Sequence, residues 1–150
     1  MAAGTNGRRG GDVGNDETDL AERILESAAD ALIFADRSGT IRRWNRAAAA
    51  LFGFSAEEAL GQSLDLIIPE DLRARHWRGF DAAMASGALK LAGRPTLTRA
   101  QYKSGHKLYV ELTFALVLNA GRPEGAVAMA RDVTERVEQE RTRAKSTPTA

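Results

Sequence analysis

His76 is the residue whose side chain could take part in the widest range of chemistry, because it lies in the apolar stripe of a predicted helix. Pro69 suits the first turn of that helix, where its missing N–H is not needed. Leu72, His76, Phe80 and Met84 follow at intervals of four residues, so they share one helical face. A buried imidazole needs partners for its ring nitrogens, and a backbone carbonyl, another side chain or a metal can provide them. The spacing leaves these three alternatives open.

The absence of cysteine narrows the chemistry of the chain. With no Cys among 150 residues, disulfides, thiolate metal sites, cysteine nucleophiles and thioether-linked cofactors are all excluded. The other histidine, His106, is far from His76 in sequence and completes no multi-histidine zinc motif. It lies beside Lys107 in a predicted hairpin turn, where we expect it to be exposed. Because no nucleophile, base and orienting group converge, we predict that the chain is not an enzyme.

Charge and hydropathy exclude other classes of partner. The chain has 21 basic and 20 acidic residues, which gives no field strong enough for nucleic acid or an anionic membrane. No apolar run approaches the roughly 20 residues that span a bilayer, and the N-terminus lacks a secretory h-region. We therefore expect a cytoplasmic protein with no nucleic-acid partner and no membrane partner.

The first part of the chain divides into a tail and a helix. Residues 1–17 are rich in Gly, Asn, Asp and Arg without hydrophobic periodicity, so we predict a disordered tail. Asp19 followed by Glu22 has the spacing of a capping box. This pattern predicts an N-terminal flanking helix over 18–30.

A β-hairpin and a short helix come next. The apolar run 31–35, a tight-turn composition and the segment 40–44 together predict two antiparallel strands. Asn45 is placed to cap a helix over 46–51, and Gly53 is placed to end it.

The second half of the chain is predicted to consist mainly of strands. Apolar residues alternate along 108–118, which predicts a strand with one apolar face. The segments 93–102 and 125–131 are expected to pair with it. A charged helix over 133–143 then leaves the domain, before a polar tail at 144–150 that we expect to be disordered. The chain is predicted to be α+β, a five-stranded antiparallel sheet with short helices on one face and a cavity between the layers.

In this order and spacing, the motifs resemble the PAS (S-box) sensor domains. The resemblance covers residues 20–141, with the PAS domain itself at 31–132, between the flanking helix and a C-terminal signalling helix. The segments that carry it are 33–41, 44–48, 51–54, 57–62, 68–71, 103–105 and 131–136.

The resemblance implies a sensory function. PAS domains bind small ligands or cofactors between sheet and helices, dimerise through their flanking helices, and relay signals through the helix after the Asp-Val-Thr motif. Here that motif is residues 132–134. We therefore expect a homodimer through the flanking helices and a separate protein as signalling output.

Within the family, residues 69–76 are similar to the stretch in oxygen-sensing haem-PAS proteins whose final histidine ligates the iron. That role falls on His76, with b-type haem as the cofactor and His76 as the metal ligand. The expected apolar contacts are Leu72 and Phe80 on the helix and Leu112, Phe114 and Leu116 on the sheet.

The resemblance fails on the opposite side of the expected haem. The arginine with which those sensors hold bound oxygen falls on Thr96, and Arg94 stands where one of them has a methionine ligand. Thr96 has no charged donor, so oxygen selectivity is not implied. Arg94 is interpreted as a contact to a haem propionate or a bound gas, or as a solvated side chain.

Two alternatives to the haem hypothesis involve no cofactor. His76 can be a core histidine that donates to a carbonyl, and Trp77, which lies off the stripe, is expected to be a packing or rim residue. The chain as a whole can be a cofactor-free PAS module for dimerisation and protein interaction. A cavity below about 300 Å³ would favour that second reading.

Overall fold

The computed structural model describes residues 13–146, so the parts of the predicted tails at 1–12 and 147–150 lie outside the described residues. Eleven elements follow one another along this range. They are α1 (Val13–Ser27), β1 (Ala31–Asp36), β2 (Ile41–Trp44), α2 (Arg46–Phe52), α3 (Ala56–Ala59), a 3₁₀ turn (Leu64–Leu66), α4 (Glu70–Ser86), β3 (Thr96–Gln101), β4 (Lys107–Asn119), β5 (Arg122–Asp132) and α5 (Thr134–Ser146).

The strands form one antiparallel sheet in the order β2-β1-β5-β4-β3. Ile33 aligns with Ala128, and Ala128 aligns with Phe114, so these three residues face the same side of the sheet. That side, called the inner face below, packs against the helices, because Ile33 shares a buried cluster with Phe52 of α2 and Ala59 of α3. The predicted α+β class and five-stranded sheet are confirmed.

The centre of the core lies under α2 and α3. Ile41, Phe52 and Val110 are the largest side chains that are fully buried. The rings of Trp44 and Phe52 pack at 5.5 Å between centroids. Burying these aromatic groups stabilises the fold by roughly 1.5–3 kcal/mol for each side chain.

Local signals place α2 as the sequence predicts. Asn45 caps the helix by accepting a hydrogen bond from the backbone N–H of Ala48. Gly53 ends it with a φ of +81°, in the left-handed region that favours glycine. The ring of Tyr102 covers Gly53 so closely that a Cβ there would lie 2.4 Å from its Cζ. Only glycine satisfies both conditions.

The N-terminal flanking helix is longer than predicted. It runs from Val13 to Ser27 rather than over 18–30, so residues 13–17, predicted as tail, are helical, and residues 28–30 lie beyond its end. Asp19 and Glu22 lie inside the helix and do not form its cap. The physical reason is charge: Asp16 stands in the first turn, where a carboxylate complements the positive end of the helix dipole.

The C-terminal helix also extends beyond its predicted end. α5 runs to Ser146, so 144–146 continue the helix instead of the tail. Arg143 and Lys145 stand in its last turn, where positive charge is favourable. Among residues 13–146, no helix is long and apolar enough to cross a membrane.

The connection between β4 and β5 is tighter than the sequence indicates. Asn119 pairs with Arg122, which leaves a two-residue turn and starts β5 before the predicted segment 125–131. Ala120 and Gly121 adopt φ values of +50° and +78°. Two positive φ angles in succession match the twist of a hairpin, and glycine supplies one of them without strain.

Candidate functional site

His76 occupies the middle of α4 and is partly buried. Its Nδ1 is inaccessible to solvent and has no hydrogen-bond partner. Among the described residues it is the one buried side-chain nitrogen or oxygen without a partner. Phe80 and Met84, on the same stripe, are buried as predicted. An unpaired buried polar atom costs about 1–3 kcal/mol, so the few that natural proteins keep call for an explanation, such as a bound ligand, an ion or an ordered water.

The environment of His76 keeps its ring neutral. Burial lowers the pKa of the imidazole below its usual value of 6.5, because the charged form loses its hydration. The carboxylates of Asp65 and Asp81 oppose this effect but do not cancel it. Neutral imidazole is the form that ligates metals.

Helix α4 is held at its two halves by different forces. In the N-terminal half, Arg73 Nε donates to the carbonyl of Ile68 at 3.0 Å, and Arg99 of β3 pairs with Asp71. The C-terminal half carries the buried Phe80, Ala83 and Met84 and ends at Gly87, which has a φ of +70°. Directional polar contacts thus fix the start of the helix, while apolar packing holds its end.

The predicted sheet residues lie together on the inner face. Leu112, Phe114 and Leu116 alternate along β4 and are each partly buried. Thr96 pairs with Leu112 across the ladder, so it continues this row on the edge strand. Val110, the preceding inner-face residue of β4, is only 1% exposed. Packing therefore loosens along β4 from Val110 towards Leu116.

The structure separates Arg94 from this row. Arg94 is exposed in the connection 88–95, and its backbone N–H donates to the carbonyl of Leu91 at 3.0 Å. The hydroxyl of Thr96 is 3.5 Å from the carbonyl of Arg94, which is too long for a strong bond. Leu72, on the helix side, is partly buried.

Two of the concave regions on the described residues can be delimited, and neither is lined by His76. One of about 330 Å³ follows the exposed side of α5, from Glu135 to Arg143. A small one of about 30 Å³ lies between α1 and the β-hairpin, beside Trp44 and Asn45. Neither opening includes any of the predicted haem contacts on α4 or β4.

His106 is exposed, as its turn position predicts. Its Nδ1 lies 2.6 Å from the hydroxyl of Ser104, and its ring stacks on Tyr102 with centroids 4.5 Å apart. His106 thus has a partner for Nδ1 and lies at the surface, whereas the unpartnered Nδ1 of His76 is buried.

Sequence reasoning missed the contacts of Trp77. Its indole Nε1 donates to Asp65 Oδ1 at 2.8 Å, and its ring lies against Gly39 in the β1–β2 turn. The predicted role as a packing residue covers the ring but not the hydrogen bond. No pattern links Asp65 to Trp77, because the turn before α4 brings them together.

The fold and the site define a class: a small α+β module with a helical layer on one face of a five-stranded sheet and a helix at each end. The PAS fold model matches residues 19–133, which is more than half of the chain. The chain therefore belongs to the PAS family, whose members are sensory domains.

Two relatives of the chain are named as sensors. It is 29% identical over 112 residues to Sensor protein FixL of Bradyrhizobium diazoefficiens, covering 75% of this chain and 22% of that protein. It is 26% identical over 120 residues to Oxygen sensor protein DosP of Escherichia coli, covering 79% of this chain and 15% of that protein. The chain thus spans less than a quarter of the length of either relative.

A solved structure confirms the likeness of fold. The PAS domain of a protein from Colwellia psychrerythraea superposes with a TM-score of 0.69, covering 81% of this chain and 100% of that one. The two sequences are 22% identical, so this comparison speaks for the fold alone.

Proposed function

We propose that this PAS domain is a non-catalytic sensory module that binds b-type haem through His76 and senses a diatomic gas or a redox change. One observation carries the proposal: the Nδ1 of His76 is buried and unpartnered, on a ring that burial keeps neutral by lowering its pKa. The names of the two relatives, a sensor and an oxygen sensor, support the same direction.

The donor set of the described residues fits haem better than a bare metal ion. No group of three or more His, Cys, Asp or Glu residues able to hold a metal occurs within 13–146. His76 would therefore be the lone protein ligand to the iron. A porphyrin brings its own nitrogen ligands, so one histidine would suffice to hold it, and bound haem would supply the chemistry for gas binding or electron transfer.

Apolar residues on both layers would exclude water from the macrocycle. Those on α4 are Leu72 and Phe80, and those on the sheet are Leu112, Phe114 and Leu116. Because directional contacts hold only the N-terminal half of α4, we expect its C-terminal half to move outward when haem enters.

The opposite side of the site lacks a charged donor. Thr96 stands on the inner face, in the position to which the resemblance assigns an oxygen-binding arginine, and its hydroxyl is neutral. We therefore expect oxygen to be held without a charge-assisted hydrogen bond. Arg94 is exposed in the connection 88–95, where its guanidinium would pair with a haem propionate or a bound gas, or stay solvated.

Strand β4 connects the site to the C-terminal helix. Thr134, at the start of α5, accepts a hydrogen bond from the backbone N–H of Tyr109 at 3.0 Å. The guanidinium of Arg141 lies 4.8 Å from the centre of the Tyr109 ring, and Val137 is buried. A displacement of Leu112 or Phe114 would thus reach α5 through the same strand, and α5 would pass it to a separate output protein.

The flanking helices are the proposed dimer interface. Leu20 and Ile24 of α1 lie one turn apart and are 50% and 61% exposed. Two large apolar side chains on one stripe of a helix favour pairing with an equivalent helix.

Haem titration with two matched histidine variants tests the proposal. We expect ferric haem b to give a Soret band that saturates at one haem per chain in the wild type. His76→Ala should shift or abolish this band, whereas His106→Ala, which changes an exposed histidine, should leave it unchanged. A wild-type spectrum in His76→Ala would overturn the proposal.

A second candidate function is a cofactor-free module for dimerisation and protein interaction. The buried Phe80 and Met84 favour it, because they already pack the stripe that carries His76. This function predicts no Soret band and a dimer that Ile24→Glu weakens while His76→Ala does not. Sedimentation of the haem-free protein measures the dimer, and a monomeric wild type would exclude this candidate.

A further inference from the structure

Trp77 joins helix α4 to two segments that precede it in the chain. Its Nε1 donates to Asp65 Oδ1 at 2.8 Å, which connects the helix to the 3₁₀ turn. A Cβ on Gly39 would lie 2.2 Å from Cη2 of Trp77, so the indole rests directly on the backbone of the β1–β2 turn. Gly39 is itself buried and has a φ of +78°.

Two further hydrogen bonds connect these three segments to one another. The N–H of Leu64 donates to the carbonyl of Gly39 at 3.1 Å, which ties the 3₁₀ turn to the β1–β2 turn. Arg73 Nη2 donates to the carbonyl of Asp65 at 3.2 Å, which ties α4 to the same 3₁₀ turn. The indole therefore meets surroundings that are already fixed on three sides.

The same indole packs against His76. The two ring centroids are 4.8 Å apart with the planes at 79°, and the Trp77 and Phe80 rings meet at 5.4 Å and 76°. Because Nδ1 of His76 has no polar partner, no hydrogen bond from that nitrogen fixes the imidazole. Its orientation is left to the rings beside it.

We infer that Trp77 and Asp65 are positioning residues for His76: the hydrogen bond between them locks the indole on Gly39, and the locked indole fixes the imidazole. This inference rests on the proposed function only for its consequence on haem. The locking itself is a property of the haem-free protein and is tested there.

Two substitutions of Asp65 separate the hydrogen bond from the charge. Asp65→Asn retains Oδ1 as the acceptor for Trp77, whereas Asp65→Ala removes it. Trp77→Phe removes the donor and keeps an aromatic ring. Asp71→Asn is the matched control, because Asp71 stands on the same helix as Trp77 but pairs with Arg99 of β3, and its substitution removes that ion pair without touching the indole.

In the haem-free protein, NMR follows the carbon-bound ring protons of His76 at a pH where the ring is neutral. We expect Asp65→Ala and Trp77→Phe to shift these signals and to broaden them, while Asp65→Asn and Asp71→Asn leave them near the wild type. Hydrogen exchange of the Trp77 indole N–H should accelerate in Asp65→Ala alone among the three aspartate variants. Unchanged His76 signals in a folded Asp65→Ala protein, checked by circular dichroism, would overturn the inference.

In the haem titration, a loosened imidazole ligates with a lower affinity. The dissociation constant for ferric haem b should rise about tenfold in Asp65→Ala and Trp77→Phe, and less than about twofold in Asp65→Asn and Asp71→Asn. Equal losses in Asp65→Asn and Asp65→Ala would assign the effect to charge and overturn the positioning role. If haem does not bind through His76 at all, the proposed function fails. The NMR experiment on the haem-free protein still tests whether Trp77 and Asp65 fix the imidazole.

Discussion

The two ends of the helical layer differ in how completely their side chains are buried and hydrogen-bonded. Around α2 and α3, Phe52 and Ile41 are fully buried, and Asn45, the one buried polar residue of the described range 13–146, has every polar atom of its side chain bonded. Along β4 from Leu112 onward the inner-face side chains are only partly buried, and His76 of α4 keeps a buried nitrogen without a partner. The first end is built for stability. The second keeps partly exposed apolar side chains and one unpartnered imidazole nitrogen, the two features on which the proposed site rests.

Asn45 shows how completely the first end is satisfied. Its Oδ1 accepts from the backbone N–H groups of Leu32 and Ala48, both at 2.9 Å. Its Nδ2 donates to the carbonyls of Leu25 and Asp30 at 2.9 and 3.0 Å. One side chain thus ties α1, the start of β1 and the first turn of α2 together.

The largest effect should come from Phe52→Ala. Removal of a fully buried ring that packs on Trp44 should lower the free energy of unfolding by about 3–5 kcal/mol. The matched variant at the other end, Phe114→Ala, should cost about 1–2 kcal/mol, because that ring is only partly buried. Urea denaturation measures both. Equal losses would show that the two ends are packed alike and would remove the basis of the comparison.

Asn45→Ala should have the next largest effect. It leaves the buried N–H of Ala48 unpaired and removes the cap of α2, so we expect a loss of about 2–3 kcal/mol in the free energy of unfolding. Asn45→Asp, the control, keeps the acceptor but loses the donor to Leu25 and Asp30. We expect amide exchange to accelerate at the end of α1 in both variants. Protection there at wild-type levels would contradict the coupling between α1 and the core.

The densely packed end could be predicted from the sequence because its signals are local. Asn45 before an alanine-rich run and Gly53 after it specify both ends of α2, and alternation along β4 specifies which residues face inward. The short turn at Ala120 and Gly121 escaped prediction, since an alanine with positive φ has no compositional signal.

The binding end could be predicted only in part. The four-residue spacing identifies His76 as an inward-facing residue, and its partial burial agrees with that. The degree of packing between α4 and the sheet depends on the distance between layers, which no periodicity encodes. The bond between Trp77 and Asp65 depends in turn on how the 3₁₀ turn leads into the helix. Such contacts arise only when the elements are assembled.

The smallest effect, and the one most specific to the α4 end, concerns pH. Burial lowers the pKa of His76 in the folded state, while the unfolded chain keeps a value near 6.5; Asp65 and Asp81 reduce this difference. Below pH 6.5 the unfolded state therefore takes up a proton more readily than the folded state does. The contribution of His76 to the free energy of unfolding is fully present above that pH and falls as the solution becomes more acidic. Because the ring is only partly buried, we expect a loss of less than about 1 kcal/mol in the haem-free protein as the pH falls from 7 through 6.5. His76→Leu should flatten this dependence in urea denaturation series, and His106→Ala should retain it. If the dependence on pH persisted unchanged in His76→Leu, it would not come from His76, and the contrast between the two ends would have no electrostatic counterpart.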